Sequence, residues 1–411
     1  MKLYWRGLLT LVFGLAGIQV QLMAQPGPPP PVNLNEFTGT QHSITIDSTS
    51  DLGKIKVLNK ENYPGTSLEL NLFLSKIPAE FAGFTHIESL NLICGAALQD
   101  LSGLNYFTHL KALHIYNFEG TLLSKGILLL DSLRSLRIGR SKTLTDINAM
   151  VTLGALEELE IFNCPAITVF PKLNNKSSLR HLYLENGNGF EYWDRETDRK
   201  ADLDLTNLQF LDKVEFFHLG GYSCFREIPE CLPRSITTLK LMGRGYPTPN
   251  DKIELENLDN LKLYPHLKEL HLYGLLLEKI DGNFKNLSLN ILSLHSIFNL
   301  SDISGIFTFK SIHTVKISQC PFLEYVKSKD KNCRIDLLDF NDLPRLQNIY
   351  FLFECKNIRQ LEIREASPAL FIPELKRMDN IPDMLLYKSG AGYHLYKKEN
   401  VWEITVLDKK S

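Results

Sequence analysis

The residues in this sequence with the most chemistry to offer are its eleven histidines and seven cysteines. Histidine is the usual neutral-pH base and metal ligand, so its spacing matters more than its number. His114, His218 and His271 each stand between two apolar residues, in Leu113-His114-Ile115, Phe217-His218-Leu219 and Leu270-His271-Leu272. His181, His295 and His313 lie at other offsets in comparable segments. If those segments are strands, the three flanked histidines face solvent, and a metal needs ligands on adjacent strands about 4.8 Å apart. His181 and His218 fall on neighbouring segments but are offset along them. Exposed polar surface is the better reading, and neither a metal nor another cofactor is expected.

The cysteines contain no Cys-x-x-Cys pair. Cys164 and Cys320, each followed by proline, read as buried free thiols, and Cys94 has no evident mate. Cys333 with Cys355, and Cys224 with Cys231, are spaced so that a bridge is feasible in an exported chain. The reading in which all seven stay reduced stands beside both pairings. No catalytic constellation emerges either. Gly187-x-Gly189 and Gly243-x-Gly245 have Tyr192 and Thr248 where a dinucleotide loop needs its third glycine. No phosphate-binding lysine loop, serine elbow or His-Glu-x-x-His occurs. No catalytic residue is nominated, and the chain is expected not to be an enzyme; an extracellular hydrolase is the weaker alternative.

What positions these residues is a repeat. The pattern Leu-x-x-Leu-x-Leu appears at Ile87/Leu90/Leu92 and returns every 23 residues at Leu110, Leu133, Leu156 and Leu179. It continues from Val214, Ile236, Leu267, Leu289, Ile312, Ile335 and Ile358, twelve times in all. Its fourth and sixth residues are apolar while the fifth is usually polar, the signature of a short strand with one buried face. A 23-residue unit cannot bury such a face alone, so the units must stack into one continuous core. Apolar residues between strands, such as Leu98, Leu101, Leu104 and Phe107, return the chain along the other side. Those stretches are too short for long helices and predict turns, 3-10 segments and extended pieces.

This pattern resembles the leucine-rich-repeat family over roughly residues 65 to 386. The units Leu156 to Cys164 and Ile312 to Cys320 match that family's asparagine-or-cysteine variant at the ninth position. Elsewhere the ninth residue departs from it, with Gly95, Phe118, Ser141, Gly187 and Tyr222 among the examples. A side-chain ladder satisfying the turn amides is thus expected to be largely missing and the turns irregular. The resemblance implies an α/β-type solenoid, a leucine-rich-repeat horseshoe with a parallel β-sheet on its concave face and short turns or 3-10 segments on its convex face. It also implies a protein-binding role.

The ends read differently from the middle. Lys2 and Arg6 precede an apolar run from Leu8 to Ile18, with Met23-Ala24 before Gln25, which is the pattern of a signal peptide cleaved after Ala24. The run is too short to span a bilayer comfortably, and no second such run follows, so no membrane span is expected in the mature chain. The reading is therefore a signal peptide at 1–24, a Pro-rich linker at 25–40, an N-terminal cap with first partial repeats at 41–86, a solenoid of about twelve repeats at 87–380, and a C-terminal cap with a β-hairpin at 381–411. Forty-five basic against forty-seven acidic residues leave a net charge of −2, without the basic excess that nucleic-acid binding requires.

Together these features predict an exported (periplasmic, cell-surface or extracellular), monomeric binding protein for a protein or glycan ligand, with a structural scaffold as the alternative. The outward positions nominate the contact residues. Tyr116, Phe162, Met242 and Tyr273 occupy the seventh position, and Arg137, Tyr183, His218, Lys240 and His271 the fifth, with Phe216 beside them. Two breaks in the register sharpen the choice. The step from Leu179 to Val214 is 35 residues and that from Ile236 to Leu267 is 31, which places insertions in 187–200 and 244–256 on one rim. They carry Tyr192 and Trp193, and Tyr246.

Overall fold

A computed structural model describes residues 43–56, 63–123, 125–173, 177–186, 203–221, 226–243, 255–327, 334–347, 349, 351–352, 355, 357–366, 383–388, 391–398 and 401–407. All belong to one compact unit, Gly39–Ser411. The leader, the spacer and the aromatic residues of both insertions lie outside the described residues.

The predicted strands form in order: β1 (Ser43–Ile46), β2 (Ser67–Leu72), β3 (Ser89–Cys94), β4 (Ala112–Tyr116), β5 (Ser135–Gly139), β6 (Glu158–Phe162) and β7 (His181–Glu185). They continue through β8 (Phe216–Gly220), β9 (Thr238–Met242), β10 (Glu269–Tyr273), β11 (Ser288–His295), β12 (Ser311–Ser318), β13 (Arg334–Leu343), β14 (Asn357–Ala366) and β15 (Asp383–Lys388). Each pairs in parallel with its successor, from β1 with β2 to β14 with β15. β16 (Ala391–Lys398) and β17 (Val401–Leu407) then add antiparallel, completing a 17-stranded sheet. The twelve sequence triads supply β3 to β14, so the chain is a leucine-rich-repeat-type solenoid with one strand per repeat.

Register follows the period of two. Leu113 pairs with Leu136 and Leu136 with Leu159, so fourth residues meet fourth residues from rung to rung. Leu113 and Ile115 are fully buried while His114 between them is half-buried. Burying one leucine side chain contributes about 2 kcal/mol, and every rung repeats that gain at its fourth and sixth residues.

The return path is also regular. Seven five-residue 3-10 segments occur among the described residues, among them Ser102–Tyr106, Asn148–Thr152, Thr206–Phe210, Asp259–Leu263 and Ser304–Thr308. Each of these five drops an apolar residue into the core, namely Leu104, Met150, Leu208, Leu261 and Ile306. An Asx turn starts them. Asp100 Oδ1 accepts from the Ser102 N–H at 2.7 Å, and Asp146, Asp204 and Asp302 accept in the same way from Asn148, Thr206 and Ser304. Asn257 does so for Asp259. The carboxylate satisfies a backbone donor that a short helix start leaves unpaired.

The turns after the strands correct the expectation of irregularity. The residue after the seventh position takes a left-handed backbone at Asn117, Arg140, Asn163, Ser296, Gln319 and Asp342, with φ between 52° and 59°, and at Gly221 and Gly274. Its N–H donates forward to the seventh-position carbonyl of the next rung, as from Asn117 to Gly139, Arg140 to Phe162 and Gln319 to Asn341. At the start of each strand the second residue donates backward, as from Arg134 to Lys111 and Glu157 to Arg134. Backbone bonds thus satisfy most of the turn, and among the ninth-position side chains Ser141 adds one bond, its Oγ accepting from the Phe118 N–H at 3.1 Å. The ninth residues are packed instead: Phe118, Cys164 and Cys320 are fully buried.

Candidate functional site

Because the fourth and sixth residues point into the core, the third, fifth and seventh form three parallel rows on the outward face. Row five runs His114, Arg137, Glu160, Tyr183, His218, Lys240 and His271 across β4 to β10. Row seven runs Tyr116, Gly139, Phe162, Glu185, Gly220, Met242 and Tyr273 on the same strands. All the nominated residues inside the described set therefore lie on one face, with Phe216 in row three between His181 and Thr238.

The first cluster is organised around a glycine. Tyr116 and Phe162 are two rungs apart, yet their rings meet edge to face at 5.9 Å. They meet across Gly139, where a Cβ would stand 2.2 Å from Phe162 Cζ. Beside them, Arg137 pairs with Glu160 at 2.5 Å. Glu160 was not among the nominated residues, although its opposite charge one rung from Arg137 was the available signal.

The second cluster corrects one expectation. His218 was assigned to solvent and is buried, 6% exposed. Tyr183 from the preceding rung lies flat on it, ring centroids 4.0 Å apart and planes 8° from parallel. The Tyr183 hydroxyl donates to Glu185, whose Oε2 stands 3.8 Å from His218 Nε2. Gly220 leaves the room: a Cβ there would sit 3.1 Å from both Glu185 Cγ and His218 Nε2. Burial, helped by the neighbouring Lys240 charge, lowers the His218 pKa to about 4, so the ring is neutral at physiological pH. Burial also raises Glu185, and burial followed by the bond to Glu185 raises Tyr183. The Lys240 ammonium lies 5.1 Å from the Phe216 ring centroid, a cation–π distance.

Further along, the Tyr273 hydroxyl contacts His271 Nδ1 at 3.2 Å, and the two rings are nearly parallel. Burial lowers the His271 pKa. Tyr273 meets His295 edge to face, and His295 Nδ1 contacts Ser318 Oγ at 2.8 Å. Met242 is half-buried between Gly220 and Tyr273 in row seven. Tyr192, Trp193 and Tyr246 lie outside the described residues, as do Cys224 and Cys333 of the two candidate bridges. Cys164 and Cys320 are buried, and burial raises them to about 11 and about 12, which keeps both as unreactive thiols. Among the described residues no three His, Cys, Asp or Glu side chains are grouped to hold a metal ion. No helix among them is long and apolar enough to cross a membrane.

No protein-family model and no curated protein matches the chain. Several solved structures are similar to it. A leucine-rich-repeat protein of Leptospira interrogans is 15% identical with a TM-score of 0.42, covering 82% of this chain and 97% of that one. An internalin of Listeria monocytogenes is 14% identical with a TM-score of 0.47, covering 86% and 88%. The functional domain of a second Listeria internalin, which includes a cysteine ladder, is 12% identical with a TM-score of 0.35, covering 91% of each. The repeat architecture of the present chain is carried by its own strand register.

Proposed function

We propose that this chain is an exported, monomeric and non-enzymatic binding module that engages a protein or glycan partner through the outward face of β4 to β10. The observation that carries the reading is the state of that face. Its aromatic and charged side chains are held by one another, Tyr116 against Phe162, Arg137 against Glu160 and Tyr183 against His218. Side chains fixed before contact lose little further rotamer freedom on binding, and aromatics and arginine are the commonest interface anchors. The apolar run from Leu8 to Ile18 before Met23-Ala24 supports export, and the two breaks in the repeat spacing support a rim position for the insertions that carry Tyr192, Trp193 and Tyr246. The ends fit the role of covers: β1 precedes the regular rungs, and the β16–β17 hairpin closes the stack beyond β15.

The test compares partners retained by the mature chain with those retained by a variant carrying Tyr116→Ala, Lys240→Ala and Met242→Ala. A control carries Phe210→Ser on a return segment, where Phe210 is exposed. The expected result is a discrete partner held by the wild type and the control and lost by the triple variant, with all three unfolding at the same temperature. Equal retention by all three overturns the assignment. So does the absence of any discrete partner, which is what a purely structural scaffold gives.

A further inference from the structure

Beyond β10 the outward face changes character, and a shallow depression opens over β10 to β14. Small side chains make its floor, Ser293 in row five and Ser318 in row seven. Tyr273 walls one side, its ring nearly parallel to His271 and edge to face with His295, so the wall is held in place. Asp339, Asn341 and Arg364 line the other side. Four strand spacings separate β10 from β14, about 19 Å.

Three observations constrain what fits. First, the charges of the depression cancel. Lys316, Asp339 and Glu362 are successive neighbours in row five, and Arg364 binds Asp339 and stands 3.9 Å from Glu362. Two cations face two carboxylates, so a charged ligand is attracted by one pair and repelled by the other. Second, the bonding capacity left over is neutral and two-sided. The Ser293 hydroxyl and the Asn341 amide can each donate and accept, and neither side chain bonds to another group among the described residues. Asp339 is 5% exposed, yet its Oδ1 accepts no hydrogen bond, and Arg364 Nε donates none. Buried polar atoms are nearly always paired, so an unmatched acceptor and an unmatched donor in one bonded pair call for a group that does both. A hydroxyl does, and Arg364, 41% exposed, has room to turn and admit one. Third, the serine floor and the Tyr273 ring combine a polar base with an apolar side, which matches a pyranose carrying C–H groups on one face and hydroxyls around its rim.

We propose that this depression binds a neutral oligosaccharide, one ring resting on Tyr273 and the hydroxyls of its neighbours meeting Ser293, Asn341 and the Asp339–Arg364 pair. A span of about 19 Å takes about three rings. Tyr116, Lys240 and Met242 of the triple variant lie outside the depression, so that variant should bind the sugar as the wild type does, and either reading can fail without the other. The test titrates the full mature chain by calorimetry with cellotriose, maltotriose and mannotriose, and with trigalacturonate and the glucosamine trimer as charged counterparts. The expected result is binding of at least one neutral trimer, unchanged between about 0.05 and 0.5 M salt, and binding of both charged trimers weaker by about tenfold or more. Asn341→Ala should weaken the neutral trimer about tenfold, as loss of its hydrogen bonds predicts. Ser293→Leu, which fills the floor, should abolish binding with the unfolding temperature unchanged, and Phe210→Ser should leave it intact. Three outcomes overturn the proposal: no binding of any neutral trimer, a charged trimer bound as tightly, or undiminished binding by either Ser293→Leu or Asn341→Ala.

Discussion

On β5 and β6 the Arg137–Glu160 pair stands in partial solvent, its carboxylate 29% exposed, whereas on β13 and β14 Arg364 covers an Asp339 carboxylate that is only 7% exposed. Both pairs sit on the same outward face of the same repeat pattern, so the strand spacing does not explain the difference. Neighbours do. Arg137 and Glu160 belong to one row and lie side by side above the sheet. Arg364 comes from row seven and reaches across to row five, over a region where serines leave space. The lesson is that a repeat fixes where side chains start, and the size of their neighbours decides how much water they keep.

Removing one cation from each pair should separate the two regions most widely. Arg364→Met strands the Asp339 carboxylate out of water beside Glu362, whose pKa burial and the Asp339 charge already raise. It should cost about 3–5 kcal/mol. Arg137→Met should cost no more than about 1 kcal/mol, because Glu160 returns to solvent. Urea midpoints of the two variants give the comparison, and equal losses would break it.

A smaller effect sharpens the description of the β7–β8 cluster. Its folded-state pKa of about 4 means that His218 resists protonation, while the unfolded chain takes up that proton near 6.5. The stability contributed by the neutral ring is therefore complete above pH 6.5 and is lost as pH falls toward 4, about 3 kcal/mol in all. Glu185, raised by burial, acts in the opposite sense, its contribution fading as pH rises. The difference between wild type and His218→Phe isolates the histidine. Stability of the variant, followed by denaturant titration at several pH values, should lack the acid-side loss, and an unchanged slope would remove His218 from the account.

The smallest effect concerns the turns. Gln319 pays for a left-handed backbone at φ 52°, and glycine adopts that conformation freely. Gln319→Gly should gain up to about 1 kcal/mol, limited by the greater freedom of glycine in the unfolded chain and by the lost contact with Ser296. A loss in thermal melts would show that the left-handed turn is not a strained one.

How much of this could be read in advance divides along physical lines. The strands were legible because stacking imposes a fixed apolar spacing, so Leu90, Leu113 and Leu136 had to align. The outward rows followed from the period of two. The Asx turns leave an equally plain mark, in Asp100-Leu101-Ser102, Asp146-Ile147-Asn148, Asp204-Leu205-Thr206 and Asp302-Ile303-Ser304. The forward-donating turns were not legible, because they depend on backbone N–H groups that every residue but proline carries. Nor was the burial of His218, which depends on Tyr183 from the previous rung lying down over a glycine-lined gap. Contacts between rows are made by side-chain conformation, and no spacing along the chain records it.

The forward bond at each turn has a consequence for synthesis. A rung leaving the ribosome can donate backward at once, at its strand start, but the N–H of Asn117 finds its acceptor only when Gly139 has emerged. At about 5–20 residues per second, a repeat of 23 residues delays that closure by about 1–5 s. The newest rung on a growing chain is thus always held on one side only. Among the described turns the longest wait falls to Asn186, whose acceptor Gly220 lies beyond the first insertion. Growth of the stack should pause there, with the apolar edge of β7 uncovered until β8 arrives.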